Sequence, residues 1–363
     1  MKLVDEFRDV ELAKRLVAHI HQASHRNIKL MEFCGSHTVS ILKNGIRQLL
    51  PSNIEMLSGP GCPVCVTSTA DLDKIIALSK FPGIIIASFG DMIRVPGSRS
   101  TLQKEKAQGA DVRVVYSVLD ALQISRGNPG KKIIFVGIGF ETTAPTVATA
   151  LVQAEKENLQ NFFVISLHKV CPPIMKTILE LGEIRINGII CPGHVSAITG
   201  SYPYQFIPSD YGIACVISGF EPIDILQTVD MLVSQIENEK YSVEIAYRRV
   251  VKPEGNILAL RLMETVFELS DADWRGIGIV SGSGLKIQKR YQHFDAESNF
   301  DIKIIPNNET RGCICGNILR GISTPRDCKL FRTICTPEQP IGPCMVSSEG
   351  SCAAYFQYGV NVE

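Results

Sequence analysis

Six short runs of apolar, mostly β-branched residues constrain the fold of this chain more than any other feature. They fall at 83–88 (GIIIAS), 112–116 (VRVVY), 133–138 (IIFVGI), 162–167 (FFVISL), 188–191 (GIIC) and 213–217 (IACVI), each followed by a glycine- or proline-bearing turn. Helix-like segments such as TVATALVQAEKEN and PIDILQTVDMLVSQIENEK separate them. Near-continuous apolar strands alternating with helices predict an α/β fold whose parallel sheets are covered on both faces. A weak internal repeat adds detail. IIFVGIGFETTAPTVATALV (133–152) is similar to IACVISGFEPIDILQTVDMLV (213–233), and GIIIASFGDMIRVPGS (83–98) to GIICPGHVSAITGS (188–201). A fainter pair joins EMLSGPGCPVCV (55–66) to FVISLHKVCPP (163–173), and the pairs keep their order along the chain. The expectation is two similar parallel-sheet lobes, 28–158 and 159–250, facing a cleft. A third domain would take 1–27 and 251–363. Its end, 306–363, is rich in Cys, Pro and Gly and has little material for a core, so it needs a staple.

Ligands of open parallel sheets sit beyond the carboxyl ends of the strands. The loops expected there carry Cys62, Cys65, Asp91, Glu141, His168, His194 and Glu221. Lys plus Arg equals Asp plus Glu at 37 each, so no global field attracts nucleic acid or an anionic membrane surface. The apolar runs are strand-length, far short of a membrane span, and the first residues are unlike a signal peptide. A cytoplasmic setting is expected. In a reducing compartment, twelve cysteines point to metal binding or thiol chemistry rather than a disulfide framework.

Six of the twelve form the tail pattern C-x-C-x12-C-x6-C-x8-C-x7-C: Cys313, Cys315, Cys328, Cys335, Cys344 and Cys352. Thiolates on widely spaced loops suit an iron–sulfur cube, while a structural zinc site would more often show paired C-x2-4-C hooks. Either reading leaves two cysteines over, candidates for a redox disulfide beside the metal. In SGPGCPVC (58–65), the Cys62/Cys65 spacing permits a zinc knuckle, a thioredoxin-type pair or the lip of another metal site. No second hook lies nearby, which favours a thiol pair on a strand-end loop. EFCGSHTVS places Cys34 three residues before His37, an imidazole that could take a thiol proton. GFETTAPT reads as a helix start with Glu141 at its mouth, and SGSGLK (281–286) as a turn.

Taken together, FCGSHT, GPGCPVC, GDMIRVPGS, GFETTAPT, CPGHVSAITG and the tail CTPEQPIGPCMVSSEGSCAAYFQYG closely resemble the HypD family of [NiFe]-hydrogenase maturation factors. The resemblance runs in order through essentially the whole chain. It implies two related α/β domains and a third that carries a [4Fe-4S] cluster. It also implies a role with a HypC-type chaperone in building the Fe(CN)2CO unit of the hydrogenase active site. Cyanide would come from a HypE-type donor, and the product would reach the hydrogenase large subunit indirectly. By the same resemblance Cys313, Cys328, Cys335 and Cys352 hold the cluster, and Cys315 and Cys344 form a redox pair beside it. Cys34, Cys62 and Cys65 are cleft cysteines, Cys34 binding the transient iron, and Asp91, His194 and Glu349 serve the chemistry. The rival reading is a stand-alone iron–sulfur thiol-disulfide oxidoreductase.

Overall fold

The computed structural model describes residues 5–304 and 312–359; the start of the predicted loop-rich segment, 306–311, and the chain ends 1–4 and 360–363 lie outside the described residues. Each of the six apolar runs forms a strand. Eleven strands are present among the described residues: β1 (Ile28–Glu32), β2 (Ile54–Ser58), β3 (Ile84–Ser88), β4 (Asp111–Val114), β5 (Lys132–Gly137), β6 (Phe162–Ser166), β7 (Gly188–Pro192), β8 (Ala214–Ser218), β9 (Val243–Ile245), β10 (Phe267–Trp274) and β11 (Gly278–Ile287). Two sheets are wholly parallel, with orders β4-β3-β5-β6 and β2-β1-β7-β8-β9. Every residue of β3, β7 and β8 is buried, as strands covered on both faces require. The two clearer repeat pairs hold equivalent places: β3 lies beside β5 in one sheet, and β7 beside β8 in the other.

The sheets do not follow the expected division at 158/159. β1 and β2 pair with β7 in the second sheet, Leu30 opposite Gly188, and β6 closes the first sheet beside β5. Periodicity identifies a strand but not its neighbour, and here close approach decides it. A Cβ on Gly188 would stand 2.7 Å from Leu30 Cδ2, so glycine lets the two strands pack. The helix Val10–Ala23, expected in the third domain, packs against the helix Pro222–Glu237 over the second sheet. Ile20, Ile28, Leu30, Leu226, Val229 and Leu232 share one buried cluster there.

The remaining strands form an antiparallel hairpin, β10 with β11. Residues 278–287 are thus one strand, with its partner upstream, where 281–286 was expected to be a turn. Gly282, at φ +62°, supplies a bulge instead of a turn, and Asp271 accepts hydrogen bonds from Ser281 Oγ and Gly282 N across it. The tail is a set of short helices, Cys315–Leu319, Pro343–Val346 and Ser351–Tyr358, joined by turns. It does not stand apart: Pro343–Val346 packs on the helix Pro63–Val66, and Ser351–Tyr358 on the helix Gly35–Lys43. Among the described residues no helix is long and apolar enough to cross a membrane.

Candidate functional site: a line of thiols from the tail to the strand ends

The helix Gly35–Lys43 begins just beyond the carboxyl end of β1, with Cys34 as its N-cap residue. The short helix Pro63–Val66 begins beyond β2 with Cys62 as N-cap, and Cys62 Sγ accepts the Cys65 amide at 3.3 Å. Because β1 and β2 are neighbours, the two turns meet. The Gly61 carbonyl accepts from Gly35 N at 3.1 Å, and a Cβ on Gly61 would lie 2.3 Å from Cys34 N. That contact explains the glycine before the C-P-V-C run: nothing larger fits beneath Cys34. All three cysteines are buried, Cys34 at 7% exposure. Burial, then Glu349 and Glu32, push the Cys34 thiol up to about 12. It is a protonated thiol at neutral pH, and a metal binding it must displace that proton.

The tail covers this corner. Glu349 accepts from Ser36 Oγ at 2.6 Å, and its charge acts on both Cys34 and His194. His194, exposed at the start of the helix Gly193–Thr199, stacks on Phe220 with ring centroids 3.8 Å apart. His37 stacks on the same Phe220 ring at 4.6 Å. Stacking on Phe220 leaves the ring only partly in water, and that desolvation lowers His194 below its ordinary value, so its imidazole is neutral and able to accept a proton. His37 is fully buried and held down at about 3 by burial, against the opposing pull of the Ser218 and Gly219 backbone. Cys34, His194 and Glu349 therefore form one group. Asp91 is half-buried beyond β3, in the other sheet, and among the described residues no hydrogen bond joins its side chain to this group.

Other strand-end residues turn elsewhere. Glu221 is held by Arg8 through two hydrogen bonds of 2.6 and 2.9 Å. His168 is buried against Ser166 Oγ at 3.1 Å. Glu141 points inward rather than to solvent, accepts the Cys171 amide at 2.9 Å, and is raised by burial to about 7. Sequence reasoning missed Glu32, whose Oε2 accepts Cys34 N at 2.8 Å and whose Oε1 accepts the Thr38 hydroxyl. The one signal for it was a carboxylate two residues ahead of Cys34 in an otherwise apolar strand.

The thiols of the tail complete the site. Cys313, Cys315, Cys328, Cys335, Cys344 and Cys352 line a single pocket with Ile318, Leu330 and Phe331. Cys313, Cys335 and Cys328 each act electrostatically on Cys352, so these four thiols face one another. A Cβ on Gly342 would stand 2.8 Å from Cys313 Sγ, which makes Gly342 a floor that only hydrogen leaves open. Among the described residues no group of three or more His, Cys, Asp or Glu side chains is placed to hold a single ion. Four soft donors spread around a pocket fit a multinuclear iron–sulfur cluster, whose thiolates stand farther apart than those on one metal. The remaining two tail thiols approach to 3.0 Å, Cys315 Sγ to Cys344 Sγ. Cys344 also interacts with Cys65, and Cys65 with Cys62. Cys315 and Cys344 are thus in direct contact, and electrostatic interactions extend from this pair to Cys313 on one side and through Cys65 to Cys62 on the other.

Comparison with known proteins gives a consistent answer. The HypD profile, described as the hydrogenase formation hypA family, matches residues 11–359. A hydrogenase maturation factor HypD2 of Bradyrhizobium diazoefficiens is 46% identical over 369 residues, covering 99% of this chain and 97% of that protein. The hydrogenase maturation factor HypD of Escherichia coli is 43% identical, covering 99% and 98%. A putative hydrogenase expression/formation protein of Methanocaldococcus jannaschii is 43% identical, covering 96% and 98%.

Proposed function

This chain belongs to the HypD family of hydrogenase maturation factors, and on that premise we propose that it is the scaffold on which the Fe(CN)2CO unit of a [NiFe]-hydrogenase is assembled. The iron with its cyanide and CO ligands is cargo. Cys34 holds it, shared with the terminal cysteine of a HypC-type chaperone, while cyanide arrives from a HypE-type donor. A thiolate suits low-valent iron carrying such ligands better than a carboxylate does. Loading displaces the Cys34 proton, and neutral His194, which like Cys34 feels the charge of Glu349, is the acceptor. Asp91 positions the incoming donor from the opposite sheet.

The observation that carries this reading is the 3.0 Å contact of Cys315 with Cys344, on a helix, Pro343–Val346, that packs directly on the Cys65 helix, Pro63–Val66. A [4Fe-4S] cluster held by Cys313, Cys328, Cys335 and Cys352 would supply electrons one at a time. The thiols then move them in pairs. Cys344 attacks a Cys62–Cys65 disulfide at Cys65, and its thiol proton passes to the departing Cys62 sulfur. Cys315 next displaces Cys65 from Cys344, leaving a Cys315–Cys344 disulfide and two reduced thiols beside Cys34. Two electrons reach the Cys62/Cys65 pair, and two tail thiols are oxidised.

Two experiments test the proposal. A scaffold forms a stable 1:1 complex with the HypC-type chaperone and turns over no disulfide substrate alone; the reverse result would make it a free-standing oxidoreductase. With no chemical reductant present, Cys62→Ala should stop iron–cyanide assembly, and a wild-type rate in that variant would remove the relay.

A further inference from the structure

Arg275 lies in the turn between β10 and β11, only 6% exposed. Its backbone amide donates to the Val66 carbonyl at 2.9 Å, and Nε donates to the Thr67 carbonyl at 2.9 Å. Trp274 and Thr67 form an antiparallel bridge beside it. The turn is thus bolted to the residues that follow Cys65. On its other side the turn touches the tail: a Cβ on Gly276 would stand 2.3 Å from the Cα of Gly316, next to Cys315.

A guanidinium buried this deeply calls for a compensating charge, because water no longer screens it. Among the described residues no carboxylate pairs with Arg275, and its Nη2 is buried with no hydrogen-bond partner. The turn instead reaches the thiol pocket: Gly276 meets Gly316, the residue after Cys315, and Cys315 lines that pocket together with Cys313, on which Arg275 also acts electrostatically. A cysteine-ligated cluster carries net negative charge, and its potential responds to nearby charge and to hydrogen bonds at its sulfurs.

We propose that Arg275 is the buried counter-charge of the tail's iron–sulfur cluster, raising its reduction potential and tying that charge to the Cys62–Cys65 turn. The inference rests on the cluster reading above. A fixed positive charge stabilises the more negative, reduced form. A neutral replacement makes that form harder to reach.

Anaerobic redox titration of the purified full chain tests this, followed by visible absorption and electron paramagnetic resonance. Arg275→Gln should keep wild-type iron and sulfide content while the midpoint moves to more negative potential. The expected size is about tenfold in the one-electron equilibrium, about 59 mV. Arg275→Lys, which keeps the charge, should stay within about threefold of wild type. An unchanged midpoint in a fully loaded Gln variant overturns the proposal, as do equal shifts in Gln and Lys. Should the Gln chain not fold, Arg275→Met takes its place as the neutral variant: a midpoint about tenfold more negative supports the counter-charge, and an unmoved midpoint overturns it. A wild-type chain that takes up no cluster overturns the cluster reading itself, and this inference with it.

Discussion

At the scale of single residues, the site is a set of buried groups held away from their ordinary protonation states. Glu141 and Glu32 are each raised by burial to about 7, from 4.5. Such an acid contributes stability that is complete below about pH 4.5 and is lost as pH rises through 7. Glu141→Gln preserves an acceptor for the Cys171 amide and removes the titration. Its melting temperature should therefore rise relative to wild type as pH goes from about 4.5 to above 7; a constant difference would show that Glu141 does not titrate there. Gly61 gives a steric prediction. Gly61→Ala drives a methyl into the Cys34 backbone and should cost about 1–3 kcal/mol in urea unfolding, with no loss if the two turns do not touch. The sequence made Cys34, Cys62 and Cys65 conspicuous as candidate chemistry because unusual residue types stand out. Glu32 was hidden because its role depends on where β1 ends, and a glutamate in a strand otherwise signals only a solvated edge.

At the scale of elements, the account depends on which strands are neighbours. Apolar runs revealed the six strands and the parallel character of the sheets, and the repeat foretold that β3 with β5 matches β7 with β8. Pairing between β1 and β7 was not legible, because their residues lie about 160 positions apart and a strand's pattern does not name its partner. That pairing is what sets the Cys34 and His194 loops side by side. The hairpin β10–β11 shows the same limit: SGSGLK looks like a turn locally, and its upstream partner strand makes it a bulge. Trp274 fixes the hairpin, fully buried, with Nε1 donating to Ser283 Oγ at 2.7 Å and its ring stacked 6.1 Å from Phe140. Trp274→Ala should cost about 3–5 kcal/mol in denaturant unfolding. It should also shift the cluster midpoint, because the turn carrying Arg275 loses its anchor; a destabilised protein with an unmoved midpoint would separate the hairpin from the redox site.

At the scale of the whole molecule, the tail brings a pocket of six thiols to the strand ends. It touches both the Cys34 helix and the Cys62–Cys65 helix, and Arg94 beyond β3 donates to the Val346 carbonyl at 3.2 Å. One pocket of thiols thereby serves loops from both sheets. Composition foretold a segment too poor in apolar residues to fold alone, but not what it would lean on. The central claim is that Cys34, whose turn packs against the Cys62–Cys65 turn, holds an iron bearing cyanide and CO. Infrared spectroscopy of the complex purified anaerobically with its HypC-type chaperone measures this directly. The account predicts cyanide and CO stretching bands in the wild type that vanish in Cys34→Ala while the complex still forms. A wild-type complex without those bands, or a Cys34→Ala complex that keeps them, would contradict it.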